Sequence, residues 1–310
     1  GKSTTASLIF EILKRAGKEV ELLGNIGEPM LKALHNSKNL TPKIYVLELS
    51  SYQLDDIKFS PNIAVATTLF PEHLDYHLNL RNYYLAKKNI IAFQRSSDYF
   101  IYNPKVKEID QWLKDYKGRV IPFEKDVSFS PVSLIGQHNK DNIRAAVAVA
   151  RLFKIKDSVI KEAVKNFKTL PHRLEFIGQF KGIKFYDDGS STNPESAILA
   201  IKTLKIIDTI LLGGQDRGYY FLDLEKTIQK YKIKNIVLFP NSGDKIIKNK
   251  SNFNVLRTSS MKKAVKFAYK NTKRGKICLL SGASPSYSLW KNFSEKGNQF
   301  KYFVKKMAKE

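Results

Sequence analysis

Apolar positions fall into two successive alternations along the chain. After the opening GKSTT, Leu8, Ile9, Ile12 and Leu13 recur at helical spacing, and the pattern stops near Gly17. Short apolar runs follow at VELLG (20–24), IYVLEL (44–49), IAVATTL (63–69) and YFIY (99–102), with helical patterns over 78–94 and 139–153 between several of them. Short apolar runs separated by helices predict parallel strands joined by crossovers, so this part reads as a largely parallel sheet. A second alternation starts after TLPHRLEF (169–176): IKFYDD (183–188) precedes a helix at 194–204, TILLGG (209–214) one near 221–230, and NIVLFP (235–240) and KICLLSG (276–282) each lead into helical sequence.

The fold class read from this pattern is α/β. A central P-loop ATPase-type domain with a mostly parallel sheet, over 1–169, is followed by a Rossmann-like α/β domain over 170–310, with a hinge near Pro171. A chain of 310 residues with 43% hydrophobic positions can fill two such cores. No run of about 18 apolar residues could span a bilayer, and the one cysteine, Cys278, sits in a strand-like run and reads as an inert core thiol in a reducing cytoplasm. The net charge of +24 raises nucleic-acid binding, but the lysines are spread through nearly every segment and interrupted by acids. Anionic small-molecule substrates account for the excess at least as well.

Candidate chemistry falls at strand ends and helix starts, where open α/β sheets bind ligands. Gly1, Lys2, Ser3 and Thr4 form the second half of a phosphate-binding loop and head a helix. Lys2 would reach terminal phosphates and Ser3 or Thr4 a magnesium ion; a capped helix with a surface lysine reads equally well. Glu48 closes a buried run, and an acid there is costly to bury unless paired or bound to metal. Glu72, His73, Asp75 and His77 follow the next strand and offer oxygen and imidazole ligands. Lys87 falls on a stripe with Leu80, Tyr84 and Ile91, with Lys88 turned away. A buried neutral amine can take up carbon dioxide as a carbamate, whereas helix geometry alone favours a lysine reaching past the stripe to water. His138 or Asn139 opens a helix with Asn142 one turn on, Arg173 at the hinge could reach a phosphate across an interdomain cleft, and Asp188 could meet a ribose or an ordered water. Asn193 reads as a helix N-cap with Pro194 at the first helical position.

Nine segments in register, GKSTT, LELSSYQLDD, PEHLDYH, LAKKNI, GQHNKDN, LPHRLEF, DDGSSTNPES, LLGGQDRG and LLSGASPSYSLWKNFSEKGNQF, resemble the Mur ligases over essentially the whole chain, and ELSSYQ with PHRLE points to the glutamate-adding branch. The resemblance implies an ATP-dependent amide-bond ligase of peptidoglycan precursor synthesis, acting through an acyl phosphate on UDP-N-acetylmuramoyl-L-alanine and D-glutamate. It implies a cytoplasmic monomer with neither nucleic acid nor membrane as partner. Position by position, Lys2, Ser3 and Thr4 match the loop for the β- and γ-phosphates and one magnesium. Glu48 and His73 match metal ligands, and Lys87 matches a carbamylated lysine that helps hold a second magnesium ion. Asn139, Asn142, Arg173 and Asp188 match ATP contacts. Asn25, Ser50 and Ser51 match contacts to the nucleotide-sugar substrate, and Thr192, Ser286 and Phe293 surround the amino acid. The pattern departs at Ser190 and Arg217, both usually lysine in that family, and at Glu72 and Thr68, usually aspartate and asparagine. The alternatives are a Mur-type ligase with another amino acid and a non-catalytic nucleotide- or nucleic-acid-binding module. The resemblance also implies a strand, the first half of the loop and a small N-terminal domain before Gly1.

Overall fold

The computed structural model describes residues 1–31, 43–70, 74–124, 127, 134–248 and 253–310. The chain divides into two compact units, Gly1–Lys168 and Thr169–Glu310.

In the first unit the opening helix, Lys2–Arg15, buries Leu8, Ile9, Ile12 and Leu13, the four positions whose spacing predicted it. It packs against the Gln137–Leu152 helix, whose Ala145, Ala146, Ala148 and Ala150 are buried and permit close approach. Among the described residues the unit's strands pair in two parallel sheets, in keeping with the mostly parallel sheet expected. Strand β1 (Val20–Gly24) pairs with β2 (Ile44–Glu48), and β4 (Tyr99–Tyr102) lies between β3 (Ile63–Ala66) and β5 (Arg119–Pro122). The run expected to reach residue 69 leaves the sheet after Ala66, and β5 was missed because three of its four residues are exposed or end in proline. Ala64, Ile91, Phe100, Ile109 and Trp112 form the core behind β3 and β4.

The second unit is a six-stranded sheet in the order β10-β9-β8-β11-β7-β6. Strands β7 (Ile183–Asp187), β8 (Ile207–Gly213), β9 (Asn235–Phe239), β10 (Asn254–Arg257) and β11 (Ile277–Leu280) run parallel, and β6 (Glu175–Phe180) is an antiparallel edge. Every residue of β8, β9 and β11 is buried, as expected for strands covered on both faces. Phe185, Leu211, Phe239, Val265, Cys278 and Phe300 lie at the centre of its core. Burial pushes the Cys278 thiol up, consistent with an inert core residue. The Pro194–Leu204 helix starts as the sequence dictates, with Asn193 accepting a bond from the Ser196 amide and Pro194 in the first turn. Strand β11 is laid between β8 and β7, so the direction of chain progress across the sheet reverses there. The crevice outside the carboxyl ends of these strands is the position at which doubly wound sheets bind ligands. Among the described residues no helix is long and apolar enough to cross a membrane.

Candidate active site

Gly1 caps the opening helix and lies close to two other elements. A Cβ at this position would sit 2.6 Å from Asn142 Oδ1 and 3.4 Å from Thr67 Oγ1, so the loop end, the end of β3 and the Gln137–Leu152 helix converge. Ser3 and Thr4 are buried in the first turn, while Lys2 is exposed. Thr5 Oγ1 donates to Asn142 Oδ1 (3.2 Å), Asn142 Nδ2 to Asn139 Oδ1 (3.0 Å) and Asn139 Nδ2 to the Ile135 carbonyl (2.8 Å). The two asparagines are therefore one connected, buried relay. Gly136, not Asn139, is the N-cap. His138 beside them is largely buried, and burial pushes its imidazole down to about 4.

Glu48 ends β2 and is 7% exposed, and its Oε2 has no hydrogen-bond partner among the described residues. The Asn25 amide donates to the Glu48 carbonyl (3.0 Å), which brings exposed Asn25 beside this strand end. Gly24, at φ +102°, is required here: a Cβ would come 2.4 Å from the same carbonyl. Ser50 and Ser51 have local partners. Ser50 caps the Ser51–Asp55 helix in a reciprocal box with Gln53, and Ser51 Oγ lies 2.9 Å from His77 Nε2. Glu72 and His73 lie outside the described residues.

The Leu80–Ala92 helix corrects the stripe read from sequence. Its buried residues are Tyr83, Ala86 and Ile91, Leu80 is exposed, and Lys87 and Lys88 are both half-buried. Tyr83 takes the inward position because its hydroxyl donates to the Phe70 carbonyl (2.6 Å), which makes a buried phenol acceptable. Lys87 Nζ stands over the Tyr83 ring, 4.7 Å from its centroid.

In the second unit, the loop around His172 and the end of β7 form a dense polar cluster. The His172 Nδ1 is 2.7 Å from Asp187 Oδ2, and Asp187 Oδ1 accepts from the Gly189 amide (2.9 Å). Asp188 accepts from the Leu174 amide (3.1 Å) and from Ser281 Oγ (2.9 Å). Burial raises its carboxyl to about 7 against those two bonds and the positive charge of Arg173, while the neighbouring Asp187 adds to the rise. Phe293 opens the last helix, Phe293–Lys309, with its ring 6.0 Å from that of His172. Gly297 on that helix leaves room for the pair, since a Cβ there would fall 2.1 Å from His172 Nδ1. Thr192 and Arg217 are half-buried on the loops after β7 and β8, and Arg217 Nε donates to Gln215 Oε1 (3.3 Å). Ser286 is buried, and its Oγ has no partner among the described residues.

Two features were not anticipated. The His172–Asp187 pair is one, and the other is Lys296, fully buried with Nζ unpartnered among the described residues. Burial pushes the Lys296 ammonium down to about 8 against the pull of Asp187 and Asp188. A signal for it existed, because Phe293, Lys296, Phe300, Val304 and Met307 lie at spacings of three and four.

A parallel α/β unit opening on a helix headed by Gly1, Lys2 and Ser3, a buried Glu48 Oε2 unpartnered among the described residues and a second doubly wound unit fit a nucleotide-dependent class of α/β enzyme. Residues 1–130 match the model of the Mur ligase middle domain. The chain belongs to the Mur ligase family. It is 33% identical to the UDP-N-acetylmuramoylalanine--D-glutamate ligase of Caldanaerobacter subterraneus subsp. tengcongensis, over 98% of this chain and 73% of that one. It is likewise 33% identical to the ligase of the same name from Streptococcus agalactiae serotype Ia, over 97% of this chain and 71% of that one. Among solved structures, the MurF ligase of Thermotoga maritima in complex with ADP superposes with a TM-score of 0.78 at 18% identity, covering 99% of this chain and 78% of that one. Escherichia coli FolC in complex with DHPP and ADP superposes at 0.72 with 13% identity, covering 99% and 87%.

Proposed function

We propose that this chain is an ATP-dependent ligase that joins D-glutamate to UDP-N-acetylmuramoyl-L-alanine in peptidoglycan precursor synthesis. The observation that carries the reading is the unsatisfied, buried Glu48 carboxylate at a strand end, in a chain 33% identical along 98% of its length to a ligase of that name. A carboxylate desolvated this far without a partner fits a hard cation better than a structural role.

The first unit, residues 1–169 in this reading, serves ATP. Gly1, Lys2, Ser3 and Thr4 bind the β- and γ-phosphates at the positive end of the opening helix, and Asn139 and Asn142 hold the nucleotide through the relay that Thr5 anchors. Ser3, Glu48 and His73 hold magnesium, and a carbamate on Lys87 helps hold a second ion. Magnesium supplies neutralisation of the phosphate oxygens between two anionic reactants. The ring contact of Lys87 suits the protonated amine, so carbamylation requires Nζ to lose a proton and leave the Tyr83 face. Asn25, Ser50 and Ser51 orient the nucleotide-sugar substrate. Its carboxylate takes the γ-phosphoryl group to form the acyl phosphate, and positioning for in-line transfer is the main contribution of these side chains.

The second unit, residues 170–310, receives the amino acid through Thr192, Arg217, Ser286 and Phe293, while Arg173 and Asp188 serve the nucleotide. Arg217 can grip a carboxylate with two parallel bonds. The amine then attacks the acyl carbon, the carbon–oxygen bond to phosphate breaks, and phosphate leaves with one oxygen of the original carboxylate. The test is magnesium-dependent phosphate release from ATP: the reading requires both UDP-N-acetylmuramoyl-L-alanine and D-glutamate, and turnover indifferent to both would refute it.

A further inference from the structure

The turn that carries Arg173 is strained, and it is tied to β6, to the loop after β7 and, through Glu175, to the last helix. His172 and Leu174, on either side of Arg173, hold left-handed backbone at φ +62° and +53°, which residues other than glycine adopt at a cost. Such residues persist only where their surroundings over-determine them. Four backbone groups of the turn are committed. The His172 amide donates to Glu175 Oε2 (2.9 Å), and the His172 carbonyl accepts from the Ser190 amide (3.0 Å). The Arg173 amide donates to the Leu170 carbonyl (3.2 Å), and the Leu174 amide to Asp188 Oδ1 (3.1 Å). Glu175 opens β6, and Lys301 Nζ, from the last helix, bridges its two oxygens at 3.2 and 3.0 Å. Lys301 lies one turn beyond Gly297, which leaves room for His172 and Asp187, so one face of that helix backs the turn at two points. Burial would raise the Glu175 carboxyl, but the His172 amide and Lys301 hold it below the usual carboxylate range, and it stays a charged acceptor. His172 and Leu174 are buried, and Arg173 between them is half-buried. The bracing therefore anchors both neighbours and fixes the point from which the Arg173 side chain leaves the backbone.

We propose that Glu175 and Lys301 are positioning residues for Arg173: the ion pair holds the carboxylate that holds the His172 amide, and so fixes the strained turn from which the guanidinium serves the nucleotide. The inference rests on the reading of Arg173 as a nucleotide contact and deepens it. A long side chain meets its target reproducibly only when its backbone is fixed, and a misplacement of about 1 Å can cost on the order of 100-fold in rate. Neither Glu175 nor Lys301 has to touch a ligand to have this effect.

The test is a double-mutant cycle on the full chain, read as equilibrium binding of ATP with magnesium and as kcat. Arg173→Ala should weaken ATP binding about 10-fold or more, since a charged contact to phosphate is lost. Lys301→Met should weaken it about 3- to 10-fold, lower kcat to a similar extent and leave the D-glutamate KM within about twofold of wild type. Lys301→Arg should restore most of the loss, because a guanidinium can bridge the same carboxylate. Combined with Arg173→Ala, Lys301→Met should weaken binding no further. Glu175→Gln loses the ion pair and should repeat the Lys301→Met result, which covers a failure of either variant to fold. Unchanged ATP binding in Lys301→Met, or losses that add in the double variant, would overturn the positioning role. If Arg173→Ala leaves ATP binding unchanged, the nucleotide role of Arg173 and the proposal fail together. If the cycle holds while D-glutamate gives no turnover, the positioning stands and the substrate reading fails.

Discussion

Two buried polar clusters, one in each unit, contrast in how far they satisfy themselves. In the first, Thr5, Asn142, Asn139 and the Ile135 carbonyl bond to one another in sequence, so much of the proposed ATP site is assembled before any ligand arrives. In the second, Lys296, Ser284 and Ser286 are as deeply buried and make no such bonds among the described residues. The difference is physical. A relay that satisfies itself stabilises the fold and presents its geometry preformed, whereas unsatisfied donors destabilise the fold and hold back interaction energy for a ligand. The sheets follow the same division: β8, β9 and β11 are buried throughout, and this rigid floor can tolerate unsatisfied groups at its rim. In the first unit Ser7 Oγ, Glu48 Oε2 and His138 Nδ1 are also buried without a hydrogen-bond partner among the described residues, and Glu48 is the only carboxylate of the three.

The Glu48 carboxylate gives the largest expected effect. Glu48→Gln should lower kcat by roughly three orders of magnitude, about 4 kcal/mol, while the melting temperature holds or rises because a buried charge is lost. A variant with near-normal kcat would reduce Glu48 to a structural residue. Lys87→Ala should abolish ligation and recover part of it when a small carboxylate is supplied in solution. Near-normal activity without rescue would remove the carbamate from the account. Arg217→Ala should act mainly on the amino-acid KM, by roughly 10- to 100-fold, since a bidentate charged contact is lost. An unchanged KM would place Arg217 outside the site.

Smaller effects probe the relay itself. Asn142→Ala strands Thr5 and Asn139 and should destabilise the first unit by about 1–3 kcal/mol in denaturant unfolding. A loss below about 0.5 kcal/mol would mean the relay is not a stabilising network. The His138 imidazole is held down to about 4 by burial, against an ordinary value of 6.5. The folded unit therefore binds fewer protons than the unfolded chain between these values. This contribution to stability is complete above about pH 6.5 and is lost as the pH falls through about 4. Unfolding measured across that range in wild type and His138→Phe should show a shallower pH slope in the variant, and identical slopes would contradict the burial argument.

The sequence was legible where local signals agreed. The opening helix could be placed from its apolar spacing, and the Pro194–Leu204 helix from apolar spacing, a cap residue and a proline in the first turn that marked the same boundary. Strands β5, β6 and β10 were not, because edge strands are half-exposed and lose the continuous apolar run of buried ones, and β6 is further broken by a register shift between Phe176 and Gly178. The stripe on the Leu80–Ala92 helix was assigned one position off at adjacent tyrosines, since pattern alone cannot tell Tyr83 from Tyr84 before the Phe70 carbonyl is known. Strand-end residues such as Glu48 and Asp188 stood out, being acids that close apolar runs. Lys296 passed for one more surface lysine in a chain of net charge +24, although its spacing with Phe293 and Phe300 placed it on the buried face.

The chemistry at the centre of this account is transfer of a phosphoryl group to a carboxylate followed by its displacement by an amine. With UDP-N-acetylmuramoyl-L-alanine labelled with oxygen-18 in its terminal carboxylate, mass analysis of the phosphate released in the presence of ATP, magnesium and D-glutamate follows that oxygen directly. One labelled oxygen in each phosphate is the predicted result, and phosphate released without label would contradict the acyl phosphate and the ligase reading built on it.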